Sequence, residues 1–191
     1  MNTVSTDQRK YTLRARAERQ AETRRRIVQA TVALHREVGP ARTTIADVAR
    51  RAGVERLTVY RNFPTAGNLF AACQAHFLAG SPLPDTFPPV PLQEALLALY
   101  GWFRREREME HHVHHDRHLL PELDVLLRGG SDQRLDEAAA AHAGDDLQAQ
   151  RLIRVALEFT TWELLADRGA TDAEIAALFA GAVNASDRRG I

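Results

Sequence analysis

The stretch at residues 44–63, TIADVARRAGVERLTVYRNF, restricts the fold more than any other part of the chain. Thr44 can cap a helix that follows it, because its hydroxyl can accept a free backbone N–H. Apolar residues then recur at the i, i+3, i+4, i+7 spacing of one helix face: Ile45, Val48, Ala49 and Ala52. Gly53 follows, where a sharp turn favours glycine because this residue adopts positive φ at little cost. A second helix turns three apolar residues inward: Val54, Val59 and Phe63. The pattern predicts a helix-turn-helix, in which the second helix enters a DNA major groove.

The chain resembles the TetR family of transcriptional regulators in three segments: TTIADVA at 43–49, AGV at 52–54 and TVYRNFPT at 58–65. The similarity is dense from about Glu22 to Phe77, and weaker similarity at 161–165 and 171–175 looks like the last two helices of the family. The resemblance implies an N-terminal DNA-binding domain followed by a helical domain that binds a small molecule and forms a homodimer.

Two positions depart from the pattern of the family. Glu55 stands at the start of the recognition helix, where the family commonly has a polar capping residue. Ala66 follows the Pro-Thr pair, where a basic residue often contacts phosphate. We expect Glu55 to face the N-terminus of its own helix, where negative charge is favoured, and a contact with a cytosine amino group is the alternative.

The predicted DNA-binding residues lie at the start of the first helix of the helix-turn-helix and along its second, recognition helix: Thr43, Thr44, Arg56, Leu57, Thr58, Tyr60 and Arg61. Arginine suits bidentate contact with guanine, threonine and leucine can contact a thymine methyl group, and hydroxyl groups reach phosphate. The alternative is a helical hairpin in an unrelated protein. The arginines at 24–26 either form a solvated helix face or supply one phosphate contact.

The charge distribution favours the DNA-binding interpretation. The net charge of zero by itself argues against nucleic-acid binding. However, residues 1–70 contain 14 Lys and Arg against 6 Asp and Glu, and residues 71–191 contain 11 against 19. The first part therefore has a net charge of +8 and the second a net charge of −8. This asymmetry indicates a basic end that attracts phosphates and an acidic body that stays off the duplex.

Helical periodicity and breakers predict an all-α architecture in four parts: a basic flexible arm at 1–17, the helix-turn-helix domain at 18–79, a proline-rich connector at 80–91, and an effector-binding and dimerisation domain at 92–191. The first helix is expected from about Glu18 to Val38, ended by Gly39-Pro40. The remaining helices outside the central motif are expected at about 64–79, 92–109, 116–127, 131–143, 145–167 and 172–185.

Several classes of protein are excluded by what the sequence contains. No run of 18 apolar residues predicts a membrane-spanning helix, and the N-terminus has no apolar segment of a secretory signal. The single cysteine, Cys73, fits a reducing cytoplasm. No glycine-rich phosphate loop, Ser/His/Asp order or HExxH motif is evident, so we expect neither an enzyme nor a cofactor.

Five of the eight histidines fall in HHVHHDRH at 111–118. His111 with His115, and His114 with His118, have the i, i+4 spacing that can chelate a transition metal, with Glu110 or Asp116 as a further ligand. A metal-sensing regulator, or a metal-binding helical protein that uses His111, His114, His115 and His118, is therefore the alternative function. We expect no metal, because one polar segment rarely completes a closed site without a ligand from elsewhere.

The second domain is also expected to hold the effector pocket, lined by aromatic residues and the neighbouring histidines: Tyr100, Trp102, Phe103, His111, His114, His115, His118, Phe159 and Trp162. The alternative is that the aromatic side chains are plain core. The helix at 145–167 is apolar almost all round, which predicts burial on two sides and a homodimer through 145–185. The expected function is a small-molecule-responsive regulator, a repressor released from a palindromic operator when effector binding shifts the helix at 66–79.

Overall fold

The computed structural model describes residues 6–187, and no strand occurs in that range. The all-α prediction is confirmed. Ten α-helices follow one another along the described chain: α1 (Thr6–Val38), α2 (Ile45–Ala52), α3 (Arg56–Asn62), α4 (Ala66–Gly80), α5 (Leu92–Asp116), α6 (Pro121–Leu127), α7 (Gln133–Ala143), α8 (Leu147–Ala156), α9 (Phe159–Ala166) and α10 (Asp172–Asp187). Contacts divide the chain into two compact units, Met1–Phe77 and Leu78–Ile191.

Helix α1 begins earlier than the sequence predicted. The expected start at Glu18 is wrong, because the helix already includes Thr6. Residues 6–17 include three arginines and two alanines, which favour helix, and Arg14 pairs with Glu18 one turn later at 2.9 Å. The first five residues of the predicted flexible arm lie outside the described range. At its other end α1 stops at Val38, as Gly39-Pro40 predicted.

The core of the first unit lies between α1 and the helix-turn-helix. Its buried apolar members come from all four helices and from the end of α3: Ile27, Val28, Ala30, Leu34, Val48, Ala49, Ala52, Val59, Phe63, Leu69 and Cys73. Ala49 is small and 3% exposed, which lets α2 and its neighbours approach closely. The apolar face predicted for α2 is therefore the face that packs inward.

The second unit is built around the long helix α5, which contacts α9 and α10. Helix α7 packs on α8, and α8 packs on α10. The predicted end of α5 at Met109 is wrong, because the helix continues to Asp116 and a 3-10 turn, Arg117–Leu119, follows it. Histidine is an acceptable helix residue, so the histidine run does not stop the helix; the stop comes only before Pro121.

The single long helix predicted at 145–167 is also wrong, because α8 and α9 are separate. Leu157 and Glu158 lie between them, and Glu158 has an extended backbone with φ −77° and ψ 131°. The break leaves the carbonyl of Ala156 outside the helical ladder. The hydroxyl of the fully buried Tyr100 donates to that oxygen at 2.8 Å, so a residue of α5 satisfies the interrupted helix.

The proline-rich segment between α4 and α5 is held by side chains of the second unit. Trp102 Nε1 donates to Ser81 O at 3.1 Å, and His142 Nε2 lies 2.8 Å from Thr86 O. Gly129 and Gly130 lie in a π-helical segment, Arg128–Asp132, that leads into α7. Within the described part of the chain, no helix is both long and apolar enough to cross a membrane.

Candidate functional site

Both ends of α2 have the capping geometry that the sequence predicted. Thr44 Oγ1 accepts from Asp47 N at 3.1 Å, which satisfies a free donor in the first turn of α2. Gly53 ends the helix in the left-handed conformation, with φ 63° and ψ 44°. The hydrogen bond from the Thr44 hydroxyl and the pairing with Arg50 lower the pKa of Asp47. The carboxylate therefore stays ionised at the helix N-terminus, where negative charge is favourable.

Two arginines of α1 hold this turn and the end of the recognition helix α3. Arg26 Nη2 donates to Ala52 O and, at 3.0 Å, to Gly53 O. A Cβ atom at Gly53 would lie 2.9 Å from that same nitrogen, but the end of the arginine side chain can shift, so the positive φ is what favours glycine here. Arg24 Nη1 donates to Asn62 O at 2.7 Å. Its guanidinium lies 4.0 Å from the ring centroid of Phe63, the residue that follows the last turn of α3.

These braces were missed by the sequence analysis. The sequence left two alternatives for the arginines at 24–26, a solvated helix face or one phosphate contact. Arg25 does pair with Glu22 on the surface of α1. The available signal was an arginine pair facing the end of two short helices, whose last carbonyls need donors. Because partners 26 and 38 residues apart in sequence cannot be recognised from periodicity, the chain alone did not reveal them.

A third brace connects α1 to α2. Arg51 Nη1 and Nη2 each donate to a different carboxylate oxygen of Glu37 at 2.7 Å, which is the bidentate geometry that suits a guanidinium. This pairing lowers the pKa of Glu37. The first unit therefore fixes the helix-turn-helix by apolar packing inside and by arginine side chains at its edges.

The recognition helix presents large side chains to solvent. Leu57 is 56% exposed and Tyr60 is 53% exposed. Arg56 and Arg61 are exposed beside them, while Val59 points inward and is fully buried. A seven-residue helix thus carries two exposed apolar or aromatic side chains and two cations on one outer surface. Such a surface offers methyl, ring, hydroxyl and guanidinium groups to a partner.

The other predicted contact residues are partly engaged within the protein. Thr43 Oγ1 donates to Gly39 O at 2.8 Å, and the Thr44 hydroxyl bonds with both the backbone and the carboxylate of Asp47. Thr58 is half-buried, and its carbonyl accepts from Asn62 Nδ2. Glu55 caps α3 by position only, because its side chain makes no capping hydrogen bond.

In the second unit, the aromatic residues predicted for the pocket form one buried cluster. Phe103 lies at its centre, with ring centroids 5.3 Å from Phe159, 5.7 Å from Trp162 and 5.9 Å from Trp102. Tyr100 stacks on Phe103 at 6.3 Å, and all five rings are at most 4% exposed. The five side chains pack against one another as in a hydrophobic core, which is the alternative to a pocket that the sequence left open.

The structure separates the histidines of the run. His114 stacks on Phe159, with ring centroids 5.3 Å apart, so it borders the aromatic cluster. His111 and His115 are exposed and stack on each other at 4.0 Å. His118 is exposed in the 3-10 turn after α5. Of the predicted pocket histidines, His114 therefore borders the aromatic cluster, while His111, His115 and His118 are exposed.

An acidic residue of α9 joins the exposed histidine pair. Glu163 is 8% exposed, and its Oε1 lies 2.9 Å from His111 Nδ1. Ligand atoms of His111, His115 and Glu163 all lie within 4.8 Å of one another. The sequence indicated Glu110 or Asp116 as the further ligand and not Glu163, because His111 and Glu163 are 52 residues apart in sequence and no pattern connects them.

Comparison with known proteins gives one family match, which lies in the first unit, and two similar relatives. Residues 27–73 match the family described as bacterial regulatory proteins, tetR family. A segment of 72 residues is 38% identical to an uncharacterized HTH-type transcriptional regulator of Mycobacterium tuberculosis strain CDC 1551 / Oshkosh, and equally to one of strain ATCC 25618 / H37Rv. The segment is 38% of this chain and 35% of each relative, so the chain covers about a third of the length of these curated relatives.

Proposed function

We propose, from the premise that the chain belongs to the tetR family of bacterial regulatory proteins, that it represses transcription as a homodimer and leaves its operator when a small molecule binds. One observation carries the proposal. The outer surface of α3 exposes Arg56, Leu57, Tyr60 and Arg61 on a helix-turn-helix braced from α1. A helix of this kind can enter a major groove and contact base edges there. Regulation rather than catalysis is the role that the family implies.

The homodimer is inferred from apolar residues that the single chain leaves exposed in its last helices. Leu164 of α9 is 52% exposed and Leu178 of α10 is 59% exposed. Ala177 and Gly181 lie on the same exposed face of α10 as Leu178, and their small size allows close approach of another helix. A second copy can cover this surface by a two-fold axis. Two recognition helices about 34–36 Å apart would then read the halves of a palindromic operator.

Effector release requires a small molecule that binds the DNA-incompetent conformation more tightly than the DNA-competent one. We place the pocket in the second unit, beside the aromatic cluster that includes Phe103 and Phe159. The half-buried His114, stacked on Phe159, supplies a polar group at the edge of that cluster. Mostly apolar walls with a few polar groups are typical of such sites.

The experiment is selection of a bound DNA sequence from a random pool, followed by affinity measurements with variants at fixed salt. We expect Arg56→Ala and Tyr60→Ala each to weaken specific binding by about 1–3 kcal/mol if the side chain contacts a base. Arg105→Ala is the matched control, because Arg105 is an exposed arginine of α5 in the other unit and lies outside the segment proposed for the dimer. If both α3 variants bind the selected site as tightly as the control, the assignment of α3 is wrong.

The dimer is tested by a charge at Leu164. Leu164→Glu places a carboxylate on a side chain that is exposed in the single chain, so the fold should persist while association fails. Light scattering at micromolar concentration should give a dimer for the wild type and a monomer for the variant. Ala141→Glu, at an exposed position of α7 outside the proposed interface, is the control for added charge alone. A monomeric wild type would contradict the proposal.

A further inference from the structure

We propose that His111 and His115 of α5 together with Glu163 of α9 form a binding site for one divalent transition-metal ion per chain. The inference does not rest on the proposed function, since it concerns three side chains of the second unit only. The structure also removes the reason given above for expecting no metal. That expectation required the histidine run to lack a ligand from elsewhere, and Glu163 is a ligand from another helix.

The spacing of the three side chains suits coordination. Two donors of one ion with bonds near 2.1 Å lie about 3.0–3.4 Å apart in octahedral or tetrahedral geometry. His111 Nδ1 and Glu163 Oε1 are already 2.9 Å apart. His115 lies one helical turn after His111, and its donor atom is within 4.8 Å of the others. A small rotation of two exposed imidazoles closes the set, while the largely buried carboxylate stays in place.

A hydrogen bond of His115 determines which of its ring nitrogens is free to bind an ion. His115 Nδ1 lies 2.8 Å from the backbone carbonyl of His111. Because a carbonyl oxygen can only accept, Nδ1 carries the hydrogen, and the lone pair is on Nε2. A histidine ligand held by a hydrogen bond from its other nitrogen to a backbone carbonyl is typical of protein metal sites.

The burial of the Glu163 carboxylate also favours a cation beside it. Glu163 is 8% exposed, and burying an ionised carboxylate is costly unless a cation or hydrogen-bond donors compensate it. Arg107 Nε is 3.7 Å from Glu163 Oε1, too far for a good hydrogen bond, and the same guanidinium pairs with the exposed Asp167. The nearer compensating group is His111 Nδ1, 2.9 Å from the same oxygen, and a metal ion between Glu163 and the imidazoles supplies a larger positive charge at that point.

The other histidines of the run are not part of the set. His114 Nε2 is 3.3 Å from Glu110 Oε2, and its ring covers Phe159. His118 lies beyond the end of α5, in the 3-10 turn. The structure thus reduces four candidate histidines to two and provides a built-in control residue in the same run.

The donor set indicates the class of ion. Two imidazole nitrogens and one carboxylate oxygen suit zinc, copper, nickel, cobalt or iron(II), whereas magnesium and calcium prefer oxygen ligands alone. Three protein ligands leave at least one coordination position for water or another small ligand. An ion there connects the last turns of α5 to α9 and stabilises the second unit by linkage.

The test uses the full chain, purified without an affinity tag and treated with a chelator that is then removed. Zn²⁺ is titrated by calorimetry, and Co²⁺ is titrated by its visible absorption, which reports the geometry and the nitrogen ligands. We expect one ion per chain. Glu163→Gln and His115→Ala should each weaken binding by at least about tenfold, because loss of even an outer contact costs that much in metal sites. His118→Ala, the control, should bind like the wild type.

The outcomes separate this site from the proposed function. Absence of saturable Zn²⁺ and Co²⁺ binding to the wild type overturns the inference, as does an equal loss of affinity in His118→Ala. Far-UV circular dichroism checks that Glu163→Gln is folded, and His115→Ala, at an exposed position, gives the same test without altering a buried group. Affinity for the selected DNA, measured on metal-free protein, tests the regulator separately.

Discussion

Replacing Arg26 by alanine distinguishes a structural brace from a DNA contact. The guanidinium donates to the carbonyls of Ala52 and Gly53 at the end of α2, where the helix dipole also favours a cation. A hydrogen bond to a charged group contributes about 1.5–3 kcal/mol when well buried. Because Arg26 is exposed, we reduce this to about 0.5–1 kcal/mol for each bond, and expect Arg26→Ala to destabilise the first unit by about 1–2 kcal/mol.

Two measurements carry the test. Thermal unfolding by far-UV circular dichroism should show the transition of the first unit lowered by about 5–10 °C. Both tryptophans, Trp102 and Trp162, lie in the second unit, so their fluorescence reports that unit instead. At a temperature where the variant is folded, the dependence of DNA affinity on salt should keep its wild-type slope. Loss of a phosphate contact would lower the slope by about one.

Arg25→Ala is the matched control, because Arg25 is the adjacent arginine and pairs with Glu22 on the surface of α1. An exposed pair of this spacing contributes about 0.3–0.5 kcal/mol, so its stability should change little. If Arg26→Ala leaves the unfolding transition unchanged and lowers the salt slope instead, Arg26 is a phosphate ligand, and the brace has no energetic role.

Three further predictions concern side chains whose environment is fixed in the structure. Tyr100→Phe removes the donor to the Ala156 carbonyl between α8 and α9, so it should destabilise the chain by about 1–2 kcal/mol in urea unfolding; an unchanged midpoint would show that water replaces the hydroxyl. Burial raises the pKa of Cys73 to about 12, so iodoacetamide should label it only as fast as the first unit opens, and rapid labelling of the folded protein would contradict this. Arg104 lowers the pKa of Asp172, so this carboxylate adds stability above the unfolded pKa near 4, and that stability is lost as the pH falls through the lower folded pKa. Asp172→Asn should therefore be destabilised at pH 7 and approach the wild type as the pH falls below the folded pKa, whereas a difference that is independent of pH would exclude this pairing.

The sequence was sufficient to predict caps, turns and helix ends that depend on residues close together in the chain. Thr44 and Gly53 were recognised as cap and turn because each acts within four residues of itself. The end of α1 at Gly39-Pro40 was recognised for the same reason. Helix type follows from periodicity over ten or more residues, so the all-α class was also accessible.

Tertiary interactions account for what the sequence did not reveal. The break between α8 and α9 contains neither glycine nor proline, and it is satisfied by Tyr100 from a helix 56 residues earlier. Glu163 became a candidate ligand only because the fold brings it beside His111, which is 52 residues earlier in the sequence. In each case one partner looked ordinary in its own segment, because its role depends on a contact that periodicity does not encode.

The recognition helix shows how the two kinds of information combine. Seven residues are too few to form a stable helix alone, so the orientation of α3 comes from what it packs against. Val59 and Phe63 anchor its inner side in the core, and Arg24 holds its last turn from α1. The exposed Leu57 and Tyr60 contribute little to that anchoring. Substitutions on the outer side can therefore alter what the helix contacts while the fold is retained, whereas substitutions on the inner side remove the helix itself.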